Sequence, residues 1–193
     1  MATTAELRDL LPGLLDPAPA VAPAADTVLA GVLVPVLAQE AEPRLVFTRR
    51  AESLSRHAGE ISFPGGLTEP DEPLAATALR EAEEELGLAP SDVELAGALP
   101  PVHTHVTGVL IVPFVGFLAR DPLFTPNRAE IADVLEFPLR DLARAGEERD
   151  FEWEGTRFRT FVFDMDGQVI WGATARILWS LIELLGPVDG RVG

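Results

Sequence analysis

The chain predicts an α/β fold in a single domain, and three observations lead there. Short runs rich in Val, Leu and Phe alternate with runs whose apolar residues recur every three to four positions, the marks of strands and helices. With 193 residues and 47% apolar content, such a chain can bury about 70% of its unfolded surface around one core. A glycine loop at Pro64, Gly65 and Gly66 feeds into a helical run dense in glutamate. Glycines there let the backbone approach a ligand closely.

The elements follow in order. Residues 1–27 predict an N-terminal amphipathic helix and an Ala/Pro linker: Leu7, Leu10, Leu11, Leu14 and Leu15 share a helical register, and residues 16–25 predict extended chain. Glu6 and Asp9 interrupt that start, which therefore does not read as a secretory leader. Residues 28–193 form the predicted domain. Val28–Leu37 is apolar enough for a central strand, and 44–48 is a second strand after the turn at Pro43. Residues 60–63 predict a short strand running into the glycine loop. Asp71 is the expected N-cap of the following helix, Ala75, Ala78, Leu79, Ala82 and Leu86 its buried stripe, and Gly87 its stop. Strands are expected at 93–99, 108–118, 157–164 and 168–171, and an amphipathic helix at 173–185, ended by Gly186 and Pro187. Trp153, Trp171 and Trp179 read as core rather than as base-stacking platforms; of the three, Trp153, in an acidic stretch that reads as an exposed loop, is the one to test as an adenine contact.

Charge and composition narrow the functions. A net charge of -16 repels nucleic acid and anionic membranes, and no apolar run reaches the ~18 residues of a membrane span. With no cysteine, there is neither a disulfide framework nor a zinc-thiolate site, so redox compartment stays open and cytoplasm is the default. The same acidic field repels a phosphorylated substrate, so a site for one needs local positive charge. Arg49, Arg50, Arg56 and His57 cluster just before the glycine loop. All 15 basic residues are Arg, so the clustering, not the choice of cation, carries this signal. His103 and His105 have period-two spacing but no third ligand nearby, and read as polar or substrate-facing loop residues.

From Gly66 to Gly87 the chain reads G-x5-E-x7-R-E-x-x-E-E-x-G. At about 100° per residue, Glu84 and Glu85 fall within about 60° of Glu81, whereas Glu83 points about 200° away. Acidic runs on helices are ordinarily solvated faces. Seven fixed positions at a background of roughly 7% each would coincide by chance about once in 10⁸ starts. Convergent carboxylates weaken a helix unless a cation lies among them. A hard divalent ion such as Mg²⁺ suits an all-oxygen helix face, because waters and substrate phosphates fill its other positions.

The segment GLTEPDEPLAATALREAEEELGL resembles a complete Nudix box, the signature of hydrolases that cleave a nucleoside diphosphate linked to another moiety. That resemblance implies an α/β/α sandwich with a mixed central sheet, in which the box forms loop, helix and loop. It implies Mg²⁺ or Mn²⁺ as cofactor, Glu81, Glu84 and Glu85 as metal ligands, and a carbonyl from the glycine loop, at Gly65, as a further ligand. Arg80 would orient a carboxylate, Glu72 would brace the loop, and Glu84 and Glu85 would be catalytic. A distant carboxylate would complete the site, with Glu130 the first candidate and Glu136 the second.

The preceding LVFTRRAESLSRHAGEISFPGG, through Leu54, His57, Gly59, Glu60, Ile61, Phe63, Pro64, Gly65 and Gly66, resembles the coenzyme A pyrophosphatase branch, with Glu60 where that branch usually has Gln. Asn127, Glu130 and the Glu136 stretch resemble its distal loop, and the segment from Ile170 to Leu178 its closing strand and helix, so the likeness spans 45–178. It implies cleavage of coenzyme A and its derivatives to 3',5'-ADP and 4'-phosphopantetheine, with Arg49, Arg50, Arg56 and His57 on the substrate's phosphates. ADP-ribose, NADH or another nucleoside diphosphate derivative is the alternative substrate. An inactive Nudix domain serving as a nucleotide sensor is the alternative of another class. The expected partner is a small molecule, with neither nucleic acid nor membrane, and a homodimer stays open.

Overall fold

The structure, a computed structural model, describes residues 2–21, 27–37, 42–54, 57–104, 108–118, 122–153 and 155–186. In chain order the elements are α1 (Thr4–Leu14), β1 (Val28–Leu37), β2 (Arg44–Arg50), β3 (Ile61–Ser62), β4 (Gly65–Leu67), α2 (Leu74–Leu86), β5 (Val93–Ala98), β6 (Val102–His103), β7 (Val109–Leu118), β8 (Ile131–Pro138), α3 (Leu139–Ala145), β9 (Gly146–Trp153), β10 (Thr156–Met165), β11 (Gln168–Ile170) and α4 (Gly172–Leu185). The main sheet runs β3-β2-β1-β7-β5, with β4 along β1, β6 along β7 and β8 along β2. Its spine is the parallel pair β1 and β7, in register from Val28 opposite Val109 to Leu37 opposite Leu118; the other pairings in this sheet are antiparallel. A second, antiparallel sheet has the order β11-β10-β9.

Both faces of the spine are covered, which is why β1 and β7 read as unbroken apolar runs. Strand alternation sorts their side chains between two cores. Leu33, Leu37, Val46, Val112, Phe114 and Leu118 pack with Ala78, Ala82 and Leu86 of α2 on one face. On the other, Val34, Val36, Leu45, Phe47, Val115 and Phe117 share a core with Leu7, Leu11 and Leu15 near the N-terminus and Ile177, Leu178 and Leu181 of α4. The result is the expected α/β/α arrangement around a mixed central sheet.

α2 lies close on β1 because Gly31 has no side chain: a Cβ there would meet Thr77 Cβ at 2.9 Å and the Ala78 nitrogen at 3.0 Å. The helix ends at Gly87: its N–H makes a last helical bond to the Glu83 carbonyl, and its left-handed φ of 67° turns the Leu88 N–H back toward the Ala82 carbonyl at 3.4 Å. Its start differs from the expectation. Asp71 is not the N-cap; it lies in the preceding turn, Pro73 occupies the cap position without a side-chain bond, and the helix begins at Leu74. A residue before proline is disfavoured in the helical region, so Glu72 cannot be wound into the helix and the start slips past it.

Other elements also depart from expectation. The acidic stretch around Trp153 is not a loop but β9, paired along its length with β10; Glu147, Glu148 and Asp150 place charge on an edge strand, which deters pairing with another chain and conceals the strand in the sequence. The Trp153 side chain lies outside the described residues. β8, α3 and the two-residue β6 were not anticipated. In α1, Leu7 and Leu11 are buried but Leu10 and Leu14 are exposed, so only part of the leucine register meets the core. The start of the linker is tied down, since Asp16 and Ala98 exchange backbone hydrogen bonds of 3.1 and 2.8 Å. Trp179 stacks on Phe161 with centroids 4.1 Å apart, as a core residue should. Among the described residues no helix is long and apolar enough to cross a membrane.

Candidate active site

The glycine loop and α2 build the site together. β4 pairs with β1 through Gly65 and Gly66, which brings the loop backbone under the glutamate face of the helix. A Cβ on Gly66 would lie 2.5–2.6 Å from the Glu81 carboxylate atoms, so that side chain occupies the space glycine leaves. Glu85 is only 5% exposed. It has a backbone hydrogen bond with Gly65, yet its Oε2 is shut from solvent without a partner among the described residues. Burial, then the charge on Glu81, pushes the Glu85 pKa up to about 8. Burial raises Glu81 as well, with Arg80 pulling the other way. Glu84 is different: its side chain is 59% exposed. Glu83 points to solvent.

Arg80 ties these acids together. Its Nε donates to Glu72 Oε1 at 2.9 Å and its Nη2 to Glu72 Oε2 at 3.1 Å, a two-pronged grip on one carboxylate. Nη1 donates to Glu81 Oε1 at 2.8 Å and reaches Glu84 Oε1 at 3.3 Å, and Nη2 also reaches the Leu67 carbonyl at 3.2 Å. Glu72 accepts further bonds from the Thr77 hydroxyl at 2.8 Å and the Glu69 N–H at 3.1 Å. The Arg80 bonds first, then that of Thr77, hold its pKa down to about 2. Thr77 and Thr68, with hydroxyls 2.6 Å apart, are site-supporting residues that the sequence reading missed. Only their small polar type within a helix-to-loop contact could have signalled them.

The segment before β8 closes the other side. Asn127 N–H donates to the Glu85 carbonyl at 2.9 Å and Thr125 N–H to the Leu86 carbonyl at 2.8 Å, so this loop hooks onto the last turn of α2. The Asn127 side chain donates to Glu130 Oε1 at 3.1 Å, and the Glu130 carboxylate raises the pKa of both Glu81 and Glu85 by its charge. Glu136 lies farther along β8, opposite Val46, where its carboxylate meets Arg44 at 3.5 Å.

The cation cluster splits up. Arg50 faces the helix and lowers the pKa of Glu85 by its charge, whereas Arg49 donates to Gln168 at 3.0 Å and is paired with Asp133. His57 Nδ1 is 2.8 Å from Glu60 Oε2, so the departure from Gln at position 60 places a carboxylate beside this imidazole. Arg56 and His105 lie outside the described residues. His103 is exposed on β6.

The donors fit a hard divalent cation. They are all oxygens, one buried carboxylate oxygen has no partner, and the Gly65 backbone runs beside it. Among the described residues no three acidic, His or Cys side chains form a ready metal cage. A cation that keeps waters and substrate oxygens in its remaining positions does not require one.

A glycine loop leading into a glutamate-faced helix, on a mixed sheet covered by helices on both faces, marks a class of α/β enzymes. A family model of the NUDIX domain matches residues 28–158. The chain belongs to the Nudix family and is a Nudix hydrolase. It is 39% identical over 160 residues to the Nudix hydrolase NudL of Cronobacter sakazakii, itself uncharacterized, covering 81% of this chain and 82% of that protein. To NudL of Pectobacterium atrosepticum it is 37% identical, covering 79% and 80%. In fold it resembles a MutT/nudix family protein from Enterococcus faecalis, with a TM-score of 0.57, 15% identity and coverage of 96% of this chain and 75% of that one. The Nudix hydrolase RenU from M. smegmatis aligns with a TM-score of 0.53 and 16% identity, covering 86% and 89%. Hydrolases of this family generally use divalent metal ions and act on small-molecule substrates.

Proposed function

We propose that the protein is a pyrophosphohydrolase that cleaves coenzyme A and its derivatives to 3',5'-ADP and 4'-phosphopantetheine, with Mg²⁺ or Mn²⁺, in the cytoplasm. The observation that carries the hydrolytic reading is the buried, half-partnered Glu85 carboxylate beside Glu81 and the glycine loop. The choice of coenzyme A is supported by the sequence from Leu45 to Gly66, which leads out of β2 into that loop.

On this reading Glu81, Glu84, Glu85 and the Gly65 carbonyl hold the metal. When bound, a divalent ion neutralises charge on the phosphoryl group and acidifies water. Arg80 keeps Glu81 and Glu84 aligned and is itself anchored by Glu72. Glu130 stands ready to take the proton of the attacking water, and Asn127 orients it. The cation-bearing loop after β2 receives the 3'-phosphate.

The test is incubation with coenzyme A and Mg²⁺ or Mn²⁺ in ¹⁸O-labelled water, with both products identified by mass, alongside 3'-dephosphorylated coenzyme A, ADP-ribose and NADH. Turnover of coenzyme A with label in one product supports the proposal. Cleavage of ADP-ribose or NADH with coenzyme A left intact would overturn the substrate assignment.

A further inference from the structure

We propose that Arg50 grips the substrate's diphosphate, while its sequence neighbour Arg49 is a strut joining the two sheets. This deepens the reading of the site as a diphosphate hydrolase and rests on it.

Consecutive residues of a strand face opposite sides of a sheet. Along β2, Leu45 and Phe47 enter the core on the α4 face and Val46 enters the core beneath α2. Arg49 therefore faces the second sheet, and its partners agree: Asp133 from β8 and Gln168 from β11. Both of its terminal nitrogens are thus engaged within the fold.

Arg50 falls on the α2 face. The register breaks beside it, Arg49 opposite Asp133 and Arg50 opposite Ile131, so the extra residue, Ala132, belongs to β8 and the alternation along β2 is unbroken. Its backbone is fixed, with the N–H donating to the Glu60 carbonyl at 3.0 Å and the carbonyl accepting from Gly59 N–H at 3.2 Å. The next residue, Ala51, donates to the Glu130 carbonyl at 2.7 Å. Arg50 thus stands between the glycine-loop approach and the Glu130 segment.

Its Nε–H is shut from solvent and, among the described residues, has no acceptor. On the same face the Glu85 Oε2 is likewise buried without a partner. One nitrogen of Arg50 and one oxygen of Glu85 are thus left in one site without a hydrogen-bond partner among the described residues. A diphosphate meets both requirements: its oxygens accept from the guanidinium in the forked geometry arginine favours, and its charge recruits the cation that the carboxylate lacks.

The test is calorimetric binding, with Mg²⁺, of α,β-methylene-ADP, whose bridge resists hydrolysis, compared with AMP. The wild-type protein is expected to prefer the diphosphate analogue. Arg50→Gln should reduce that preference at least tenfold, and Arg50→Lys should recover part of it. Arg49→Gln should lower Tm and leave the preference in place. Arg50→Lys keeps the charge and secures the comparison if Arg50→Gln does not fold. An unchanged preference in Arg50→Gln, or in a folded Arg50→Lys together with its loss in Arg49→Gln, would overturn the proposal, as would equal affinity of the wild type for both ligands. Discrimination between the analogues without turnover of coenzyme A would leave the role of Arg50 standing and remove only the substrate assignment.

Discussion

Glu85 combines two properties that pull against each other, a buried carboxyl and a position among other acids. Its pKa of about 8 lies above the ordinary 4.5, so the metal-free folded state holds the proton more tightly than the unfolded chain. By linkage this contribution to stability is fully present below about pH 4.5, declines as pH rises, and is gone above about pH 8, at a slope of up to about 1.4 kcal/mol per pH unit. Glu72 acts with the opposite sign. Its depressed pKa stabilises the fold above the ordinary value of 4.5 and is lost only toward pH 2, outside that window. In the presence of chelator, Tm should therefore fall from pH 5 to pH 8, and Glu85→Gln should flatten the decline; a wild-type Tm that stays level would contradict the burial argument. With saturating Mg²⁺, Glu85→Gln should lower kcat by at least about 10²-fold while circular dichroism stays native. Turnover near the wild-type rate would remove Glu85 from the chemistry.

A helix positions chemistry only as well as its seat allows, and the seat of α2 is Gly31. Gly31→Ala would drive a methyl group into the Thr77 and Ala78 backbone region, costing about 1–3 kcal/mol and tilting the carboxylate face. The expected readout is a lower Tm together with a weaker apparent affinity for Mg²⁺ in activity titrations; a shift in Tm alone would mean that the helix adjusts without disturbing its glutamates. Much of this element was legible beforehand. The spacing of Glu81, Glu84 and Glu85 sets their common face, and Gly87 ends the helix as expected. Its start was misjudged because Asp71 matches an N-cap by residue type, while Pro73 decides the local backbone. Gly31 carried no local signal, since its importance comes from a helix more than forty positions away. The edge strand β9 was hidden by its charges, and Arg49 and Arg50 were indistinguishable because the expected strand stopped at residue 48, whereas β2 runs on to Arg50 and sends the two to opposite faces.

Across the whole molecule, the central sheet separates the functions of its two sides. α1 and α4 pack on the face opposite α2, so a defect there should cost stability and spare the chemistry. Leu11 is 1% exposed, and Leu11→Ala should cost about 2–5 kcal/mol, or roughly 5–15 °C in Tm, with kcat unchanged well below the transition. A parallel fall in kcat at that temperature would show that the two faces are coupled. On the α2 side, the amides of Thr125 and Asn127 are bonded to the carbonyls of Leu86 and Glu85. The segment leading to Glu130 is thereby latched to the end of the glutamate helix. A connector that looks like surface loop should then exchange its amide hydrogens at Thr125 and Asn127 as slowly as the last turn of α2; fast exchange at those two positions would mean that the latch opens on its own. If they exchange together, the acids at both ends of the site arrive as one preassembled unit, and the proposed role of Glu130 would need no separate motion to bring it within reach.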